Sequence, residues 1–77
     1  MGLKWVDRLA IAEELSDRFP DKHPLIGVRF TDLRQWIIEI DDFDDDPGAS
    51  NEGILESIQM AWWEEFLSLH PGASPYG

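Results

Sequence analysis

Apolar residues recur at helical spacing in three separate stretches of the chain, and each stretch predicts one helix. The first helix is expected over residues 8–18, because Asp7 can cap its first turn and Pro20 marks its end. Its polar side carries acidic residues and is expected to face water. Its apolar stripe consists of Ile11, Ala12, Leu15 and Phe19.

Two further stripes predict the second and third helices. Thr31 is a suitable N-cap for a helix over residues 32–40, and either Ser50 or Asn51 can cap a helix that begins just after them. Trp63 falls one position off the third stripe, so it is expected either at the margin of the core or in solvent. The second stripe is Leu33, Trp36, Ile37 and Ile40, and the third is Ile54, Leu55, Ile58, Trp62 and Phe66.

The connections between the helices contain little that predicts a sheet. Two prolines place residues 20–24 in a loop, where His23 is expected to be a loop residue rather than a metal ligand. Residues 25–30 suit a minimal strand or an extended linker. We therefore expect a mainly α fold, a single domain over residues 1–67 with three helices, of which the second and third resemble a helix-turn-helix pair. Residues 68–77 are expected to be a flexible tail.

Composition narrows the range of functions. The 77 residues include no Cys, which excludes thiolate chemistry, and a formal charge of −10 repels phosphate backbones and anionic membranes. The third predicted helix has no Lys or Arg with which to contact DNA. No stretch reaches transmembrane length, and the N-terminus lacks the apolar run of a signal peptide. We expect a cytoplasmic protein that binds neither nucleic acid nor membranes.

The densest charge lies between the second and third predicted helices. There, five aspartates surround Phe43 in residues 41–46, followed by Pro47. Asp41 and Asp42 come just after the end of a helix, where unpaired carbonyls make an anion unfavourable by roughly 0.3 to 1 kcal/mol each. The sequence shows no compensation within the chain. A costly arrangement of this kind is typical of a functional site.

This acidic stretch has three candidate uses. A calcium loop of the EF-hand type does not fit, because Pro47 and Gly53 occupy the positions that need Gly and Glu. Carboxylates can hold ferrous or another divalent ion weakly, although a solvated acidic loop does this without a dedicated site. A basic protein partner is the third use, with Phe43 either an apolar anchor or turned into the core. Catalysis has little support, since the chain has no Cys nucleophile and no Gly-rich phosphate loop.

Several short motifs together resemble the IscX family, the small acidic proteins of the bacterial iron-sulfur cluster assembly operon. The motifs are GLKW at 2–5, VRFTDL at 28–33, QWI at 35–37, DDFDDDP at 41–47, and SNE with ILE at 50–56. The resemblance extends from residue 1 to about residue 65. The extension over residues 66–77 departs from the shorter family pattern, and Gly53 weakens the first turn of the third helix.

This resemblance implies a modified winged-helix fold and a non-enzymatic, monomeric accessory of cluster assembly. Such proteins dock through an acidic surface on the cysteine desulfurase IscS, where bacterial frataxin also docks, and bind ferrous iron weakly. An iron-donating adaptor, or an acidic module of another complex, is the alternative. Asp42, Asp44, Asp45 and Asp46 are the candidate iron ligands. The expected partner-binding residues are Asp32, Glu39, Asp41, Asp42, Asp44, Asp45 and Asp46.

Overall fold

A computed structural model describes residues 2–73 of the chain. Three helices form the domain: α1 (Arg8–Arg18), α2 (Phe30–Ile38) and α3 (Glu52–Leu69). A short 3-10 turn, Pro47–Ala49, precedes α3. Over these residues the sole β feature is an isolated parallel bridge between Leu3 and Phe43. The predicted mainly α, three-helix domain is confirmed, whereas the minimal extended segment lies at residues 3 and 43 and not at 25–30.

α1 has the predicted bounds but not the predicted cap. Asp7 occupies the N-cap position, yet its side chain makes no capping hydrogen bond to the helix. Its Oδ2 atom instead accepts a hydrogen bond from the backbone N–H of Lys4 at 2.9 Å, and the N–H of Asp7 donates to the Lys4 carbonyl at 2.9 Å. The carboxylate therefore closes a turn ahead of the helix, and the capping prediction is wrong.

α2 begins and ends two residues earlier than predicted. Arg29 has extended backbone angles and occupies the N-cap position, so Thr31 lies inside the first turn and the predicted Thr31 cap is wrong. At the other end, Ile40 lies beyond the helix but is only 3% exposed. A turn hydrogen bond of 3.1 Å from its N–H to the carbonyl of Ile37 directs the chain back to the core. The apolar pattern continued past the end of the helix.

α3 begins as predicted and extends further than predicted. Asn51 caps it, since its Oδ1 atom accepts a hydrogen bond from the N–H of Ile54 at 2.9 Å. Ser68 and Leu69, expected to begin the flexible tail, belong to this helix. The His70 ring stacks on Phe66, with centroids 4.3 Å apart. Residues 74–77 of the expected tail lie outside the described residues.

The core forms where α1 and α3 pack along each other in the same direction. His70 Nε2, just after α3, lies 2.8 Å from the carbonyl oxygen of Pro20, just after α1. Trp62 is fully buried, and the rings of Phe19 and Trp36 pack around it. Trp63 is 8% exposed and packs against His23. Of its two predicted positions, the margin of the core is therefore confirmed. Within residues 2–73 no helix is both long and apolar enough to cross a membrane.

Candidate functional site

The N-terminal segment, residues 2–5, lies alongside the acidic loop, residues 41–46. The N–H of Leu3 donates to the carbonyl of Asp42 at 2.6 Å, and the N–H of Asp44 donates to the carbonyl of Leu3 at 2.9 Å. These bonds form the parallel bridge that joins the two segments. The loop is thus attached to a part of the chain about forty residues earlier.

Three side chains donate to carbonyl oxygens of the loop and of Pro47, the residue that follows it. The indole Nε1 of Trp5 donates to the Asp46 carbonyl at 2.7 Å, and the Lys4 Nζ donates to the Asp44 carbonyl. From α2, Arg34 donates to the Pro47 carbonyl through Nε at 3.1 Å and Nη2 at 2.7 Å. Each donor neutralises the partial negative charge of a carbonyl next to the carboxylates. The backbone is consequently held by donors from two other parts of the chain, the N-terminal segment and α2.

Phe43 turns towards the protein interior. It is partly buried and packs against the core, and its ring meets the buried ring of Trp5 edge-on at 4.8 Å between centroids. Edge-to-face pairs of this kind contribute about 0.5 to 1.5 kcal/mol beyond the area they bury. Of the two interpretations of Phe43, the inward one is confirmed. Phe43 anchors the middle of the loop to the domain.

Asp45 and Asp46 supply the compensation that the sequence did not reveal. Asp45 Oδ2 accepts from the N–H of Trp5 at 3.0 Å, and its Oδ1 accepts from the N–H of Asp46 at 2.8 Å. These two backbone bonds, with a smaller contribution from the Lys4 charge, lower the pKa of Asp45 below its ordinary value. Asp46 caps the 3-10 turn by accepting from the N–H of Gly48 at 2.9 Å. The expectation of an uncompensated loop is therefore wrong for these two residues.

The remaining loop carboxylates, those of Asp41, Asp42 and Asp44, point into solvent. All three residues are exposed. The Asp44 carboxylate lies 3.6 Å from the Lys4 Nζ, which is the one ion pair across residues 2–73, and no group in that part of the chain donates to the carboxylates of Asp41 or Asp42. These carboxylates are available to a partner without breaking an internal hydrogen bond of their own.

The two expected partner-binding residues outside the loop, Asp32 and Glu39, occupy different positions. Glu39 is the C-cap residue of α2, is exposed, and lies two residues before the loop. Asp32 is exposed in the first turn of α2, and helical geometry places it about 160° around the helix from Arg34. Because Arg34 holds Pro47, the C-terminal end of the loop lies on the opposite side of α2 from Asp32. The structure thus joins Glu39, but not Asp32, to the acidic loop.

The loop has the chemistry of a metal site without the geometry of a closed one. Carboxylate oxygens are hard ligands that suit ferrous and other divalent ions. In the part of the chain that the structure describes, however, no three acidic or imidazole side chains converge to hold a metal. Of the four predicted ligands, Asp45 is committed to backbone N–H groups through both oxygens. An ion at this loop would keep most of its water ligands.

The residues that hold the loop were not predicted as part of the site. Gly2 contributes by close approach, because a Cβ atom there would lie 2.0 Å from the Cβ of Asp44. Arg34, on α2, was not among the predicted partner-binding residues. One signal in the sequence pointed to the N-terminal segment, namely a Trp at position 5 outside every predicted helix. A large aromatic side chain in that position needs somewhere to be buried.

Comparison with known proteins identifies the family. A protein-family model described as iron-sulphur cluster assembly matches residues 3–67. The chain belongs to the IscX family. An uncharacterised protein of Pseudomonas aeruginosa is 49% identical over 65 residues, which cover 84% of this chain and 97% of the relative. The IscX match spans Leu3, the acidic loop and Arg34, so it includes nearly every residue that builds the site.

Proposed function

We propose that this member of the IscX family is a non-enzymatic accessory of iron-sulfur cluster assembly that docks on the cysteine desulfurase IscS through its acidic loop. One observation carries the proposal: the loop backbone is fixed by donors from other segments while Asp41, Asp42 and Asp44 remain exposed. The protein acts as a monomeric regulator in the cytoplasm and does not itself perform chemistry. The family supports a role in cluster assembly, and the loop supports the mode of docking.

A fixed acidic loop is suited to a partner surface rich in Arg and Lys. Electrostatic attraction from a chain with a formal charge of −10 speeds the encounter with such a surface. The hydrogen bonds to the carbonyls of Asp44, Asp46 and Pro47 already restrict the loop, so less conformational entropy is lost on binding. Members of the family dock on the desulfurase where bacterial frataxin also docks, so frataxin is expected to compete with this protein for the desulfurase.

Charge reversal tests the docking surface. The variant Asp41→Lys/Asp42→Lys/Asp44→Lys leaves Asp45 and Asp46, which hold the loop together, in place. A matched control, Glu13→Lys/Asp17→Lys/Asp21→Lys, changes the net charge equally at exposed positions away from the loop. In calorimetric titrations against the desulfurase, we expect the loop variant to lose at least about a hundredfold in affinity and the control much less.

Salt and competition complete this test. Affinity of the natural sequence is expected to fall as ionic strength rises, because exposed charges are screened. Added bacterial frataxin should displace the protein from the desulfurase. Equal losses in the loop variant and its control would show that net charge alone drives binding, and the acidic loop would no longer be the docking surface.

Weak binding of ferrous iron is the second part of the proposal. It is supported by the exposed oxygens of Asp42 and Asp44 and by the outer oxygen of Asp46, which suit a hydrated divalent ion. The alternative, an iron-donating adaptor, requires tighter binding. It predicts that loaded protein resists a mild chelator and builds clusters faster than free ferrous iron does. Failure of either measurement leaves iron as a secondary ligand of the docking surface.

A further inference from the structure

A second surface lies away from the acidic loop, at the start of α1 and α3. Arg8 and Leu9 form one wall of an open cleft of about 600 Å³, and α3 forms the other wall and the floor. Two smaller hollows of about 300 and 360 Å³ adjoin it and share Arg8 as a lining residue. Small residues recur every fourth position along the floor, so a ligand can come close to the α3 backbone there. These are Gly53, Ser57 and Ala61.

The cleft is bordered by large apolar side chains that the fold leaves in water. Val6 is 78% exposed, Leu9 is 62% exposed and Met60 is 47% exposed. All three line the cleft or an adjoining hollow. The described part of the chain has two other large exposed apolar residues, Ile26 and Leu69, neither of which lines these cavities. Three of five such residues at one place form a patch of the kind that marks a binding surface.

Acidic residues flank the patch at helical spacing. Glu56 and Glu64 both line the cleft and lie one turn before and one turn after Met60 on α3. On α1, Glu13 is exposed one turn after Leu9. The lining of the cleft has one cation, Arg8, against Glu56 and Glu64, so the complementary ligand has an apolar stripe with basic residues placed near the two glutamates. A second copy of this chain does not meet that requirement, because each copy has a formal charge of −10.

We propose that this cleft binds a basic amphipathic helix of a partner protein, separately from the acidic loop. Apolar residues of the helix cover Val6, Leu9 and Met60, and the small residues on the floor let its backbone approach α3. Its Lys and Arg residues pair with Glu56 and Glu64. Recognition of an amphipathic helix by an apolar groove is a recurrent mode of binding. The protein would then have two binding surfaces: the acidic loop would bind a basic surface of a folded partner, and the cleft would bind a helix.

A synthetic helical peptide tests the proposal on the full chain. The probe is a peptide of Leu and Lys with Leu at positions i, i+3, i+4 and i+7, compared with the same peptide carrying Glu in place of Lys. Two protein variants, Leu9→Ser and Met60→Ser, remove exposed side chains and leave the core intact. Leu69→Ser is the matched control, because Leu69 is 56% exposed and lies at the far end of α3.

The expected result is binding of the Lys peptide with amide shifts along residues 53–64 in NMR spectra. Leu9→Ser and Met60→Ser should each weaken it about tenfold, and Leu69→Ser by less than about twofold. Glu56→Lys/Glu64→Lys should also weaken it. The Glu peptide should not bind.

Three outcomes would overturn the proposal. Equal effects of Leu69→Ser and Leu9→Ser would show unspecific hydrophobic binding. Loss of peptide binding only in the Asp41→Lys/Asp42→Lys/Asp44→Lys variant would assign the peptide to the acidic loop. A dimer in sedimentation experiments that Met60→Ser dissociates would make a second copy the occupant. None of these outcomes bears on desulfurase docking, which the charge-reversal titration tests separately.

Discussion

The acidic loop and helix α1 both display several carboxylates, but the chain holds them in different ways. In α1, the hydrogen bonds of the helix fix the backbone, and residues such as Glu13 and Asp17 extend from it into solvent. In the loop, the backbone has no regular structure of its own and is fixed by residues from the N-terminal segment and α2. The positions of the carboxylates are thus set by local helix hydrogen bonds in α1 and by tertiary contacts in the loop.

This difference shows why charge density alone is a poor guide to a binding surface. The carboxylates of α1 would keep the same spacing however the helix packed against the rest of the domain. The loop presents Asp41, Asp42 and Asp44 in one arrangement because Trp5, Lys4 and Arg34 hold its carbonyls. Substitutions outside the loop should therefore disturb its carboxylates and leave those of α1 unchanged.

Removal of the Trp5 side chain should have the largest effect. Trp5 is 3% exposed, packs on Phe43 and donates to Asp46, so Trp5→Ala leaves a cavity and an unpaired carbonyl. We expect a loss of about 3 to 5 kcal/mol in the free energy of unfolding, measured by urea denaturation. Trp5→Phe, which keeps an aromatic ring, should lose less. A change below about 1 kcal/mol for Trp5→Ala would mean that the loop is held without Trp5.

A methyl group at Gly2 should separate the two segments without altering the core. The added Cβ would lie 2.0 Å from the Cβ of Asp44, which forces the N-terminal segment away from the loop. We expect Gly2→Ala to lower the free energy of unfolding by about 1 to 3 kcal/mol and to weaken desulfurase binding. Gly48→Ala is the control, because its Cβ would have its nearest neighbour at 3.5 Å, the Oδ1 atom of Asp46. Similar results for both variants would contradict the close approach at Gly2.

Removal of the Arg34 charge should have a smaller effect. Arg34→Met deletes both hydrogen bonds to the Pro47 carbonyl, a site at which solvent can replace the lost donor. The expected loss is about 1 kcal/mol in the free energy of unfolding. Arg29→Met, at an exposed position before α2, provides a control for loss of one positive charge. Thermal unfolding of the two variants side by side decides whether the bonds or the charge matter.

The smallest expected effect appears in the pH dependence. The pKa of Asp45 is lowered by its bonds to the N–H groups of Trp5 and Asp46. Its stabilising contribution is therefore fully present above the ordinary pKa of 3.8 and is lost as the pH falls below that value, through the lowered pKa. The stability difference between the natural sequence and Asp45→Asn should shrink on acidification. A difference that stays constant would show that protonation of Asp45 does not loosen the loop.

Sequence patterns predicted those parts of the fold that depend on neighbouring residues. The bounds of α1, the Asn51 cap and the location of the acidic loop all follow from signals within a few positions. The predicted Asp7 cap was wrong because its carboxylate bonds to the N–H of Lys4 instead of to the helix. The predicted Thr31 cap was wrong because α2 begins at Phe30, one residue before Thr31. The spacing of apolar residues shows neither of these. The end of α2 was misplaced because Ile40 is buried from a turn and not from a helix.

The parts that could not be predicted are contacts across long separations in the chain. Nothing near Asp45 indicates that its partner is the N–H of Trp5, and nothing near Pro47 indicates Arg34. For this reason the loop seemed uncompensated in the sequence. The predicted site residues gain distinct roles in the structure: Asp45 and Asp46 hold the loop, whereas Asp41, Asp42 and Asp44 face outward. Docking on the desulfurase and binding of iron remain predictions.

The bridge between Leu3 and Phe43 also has a consequence for the order of folding. It closes a chain segment of about forty residues that contains α1 and α2, and the entropy lost in closing such a segment must be offset by non-local contacts that the helices themselves do not need. We therefore expect the acidic surface to assemble late, after the helices have formed. A chain still leaving the ribosome would carry every aspartate of the loop and yet have no organised surface for the proposed partner. Competence to dock would thus report that folding is complete.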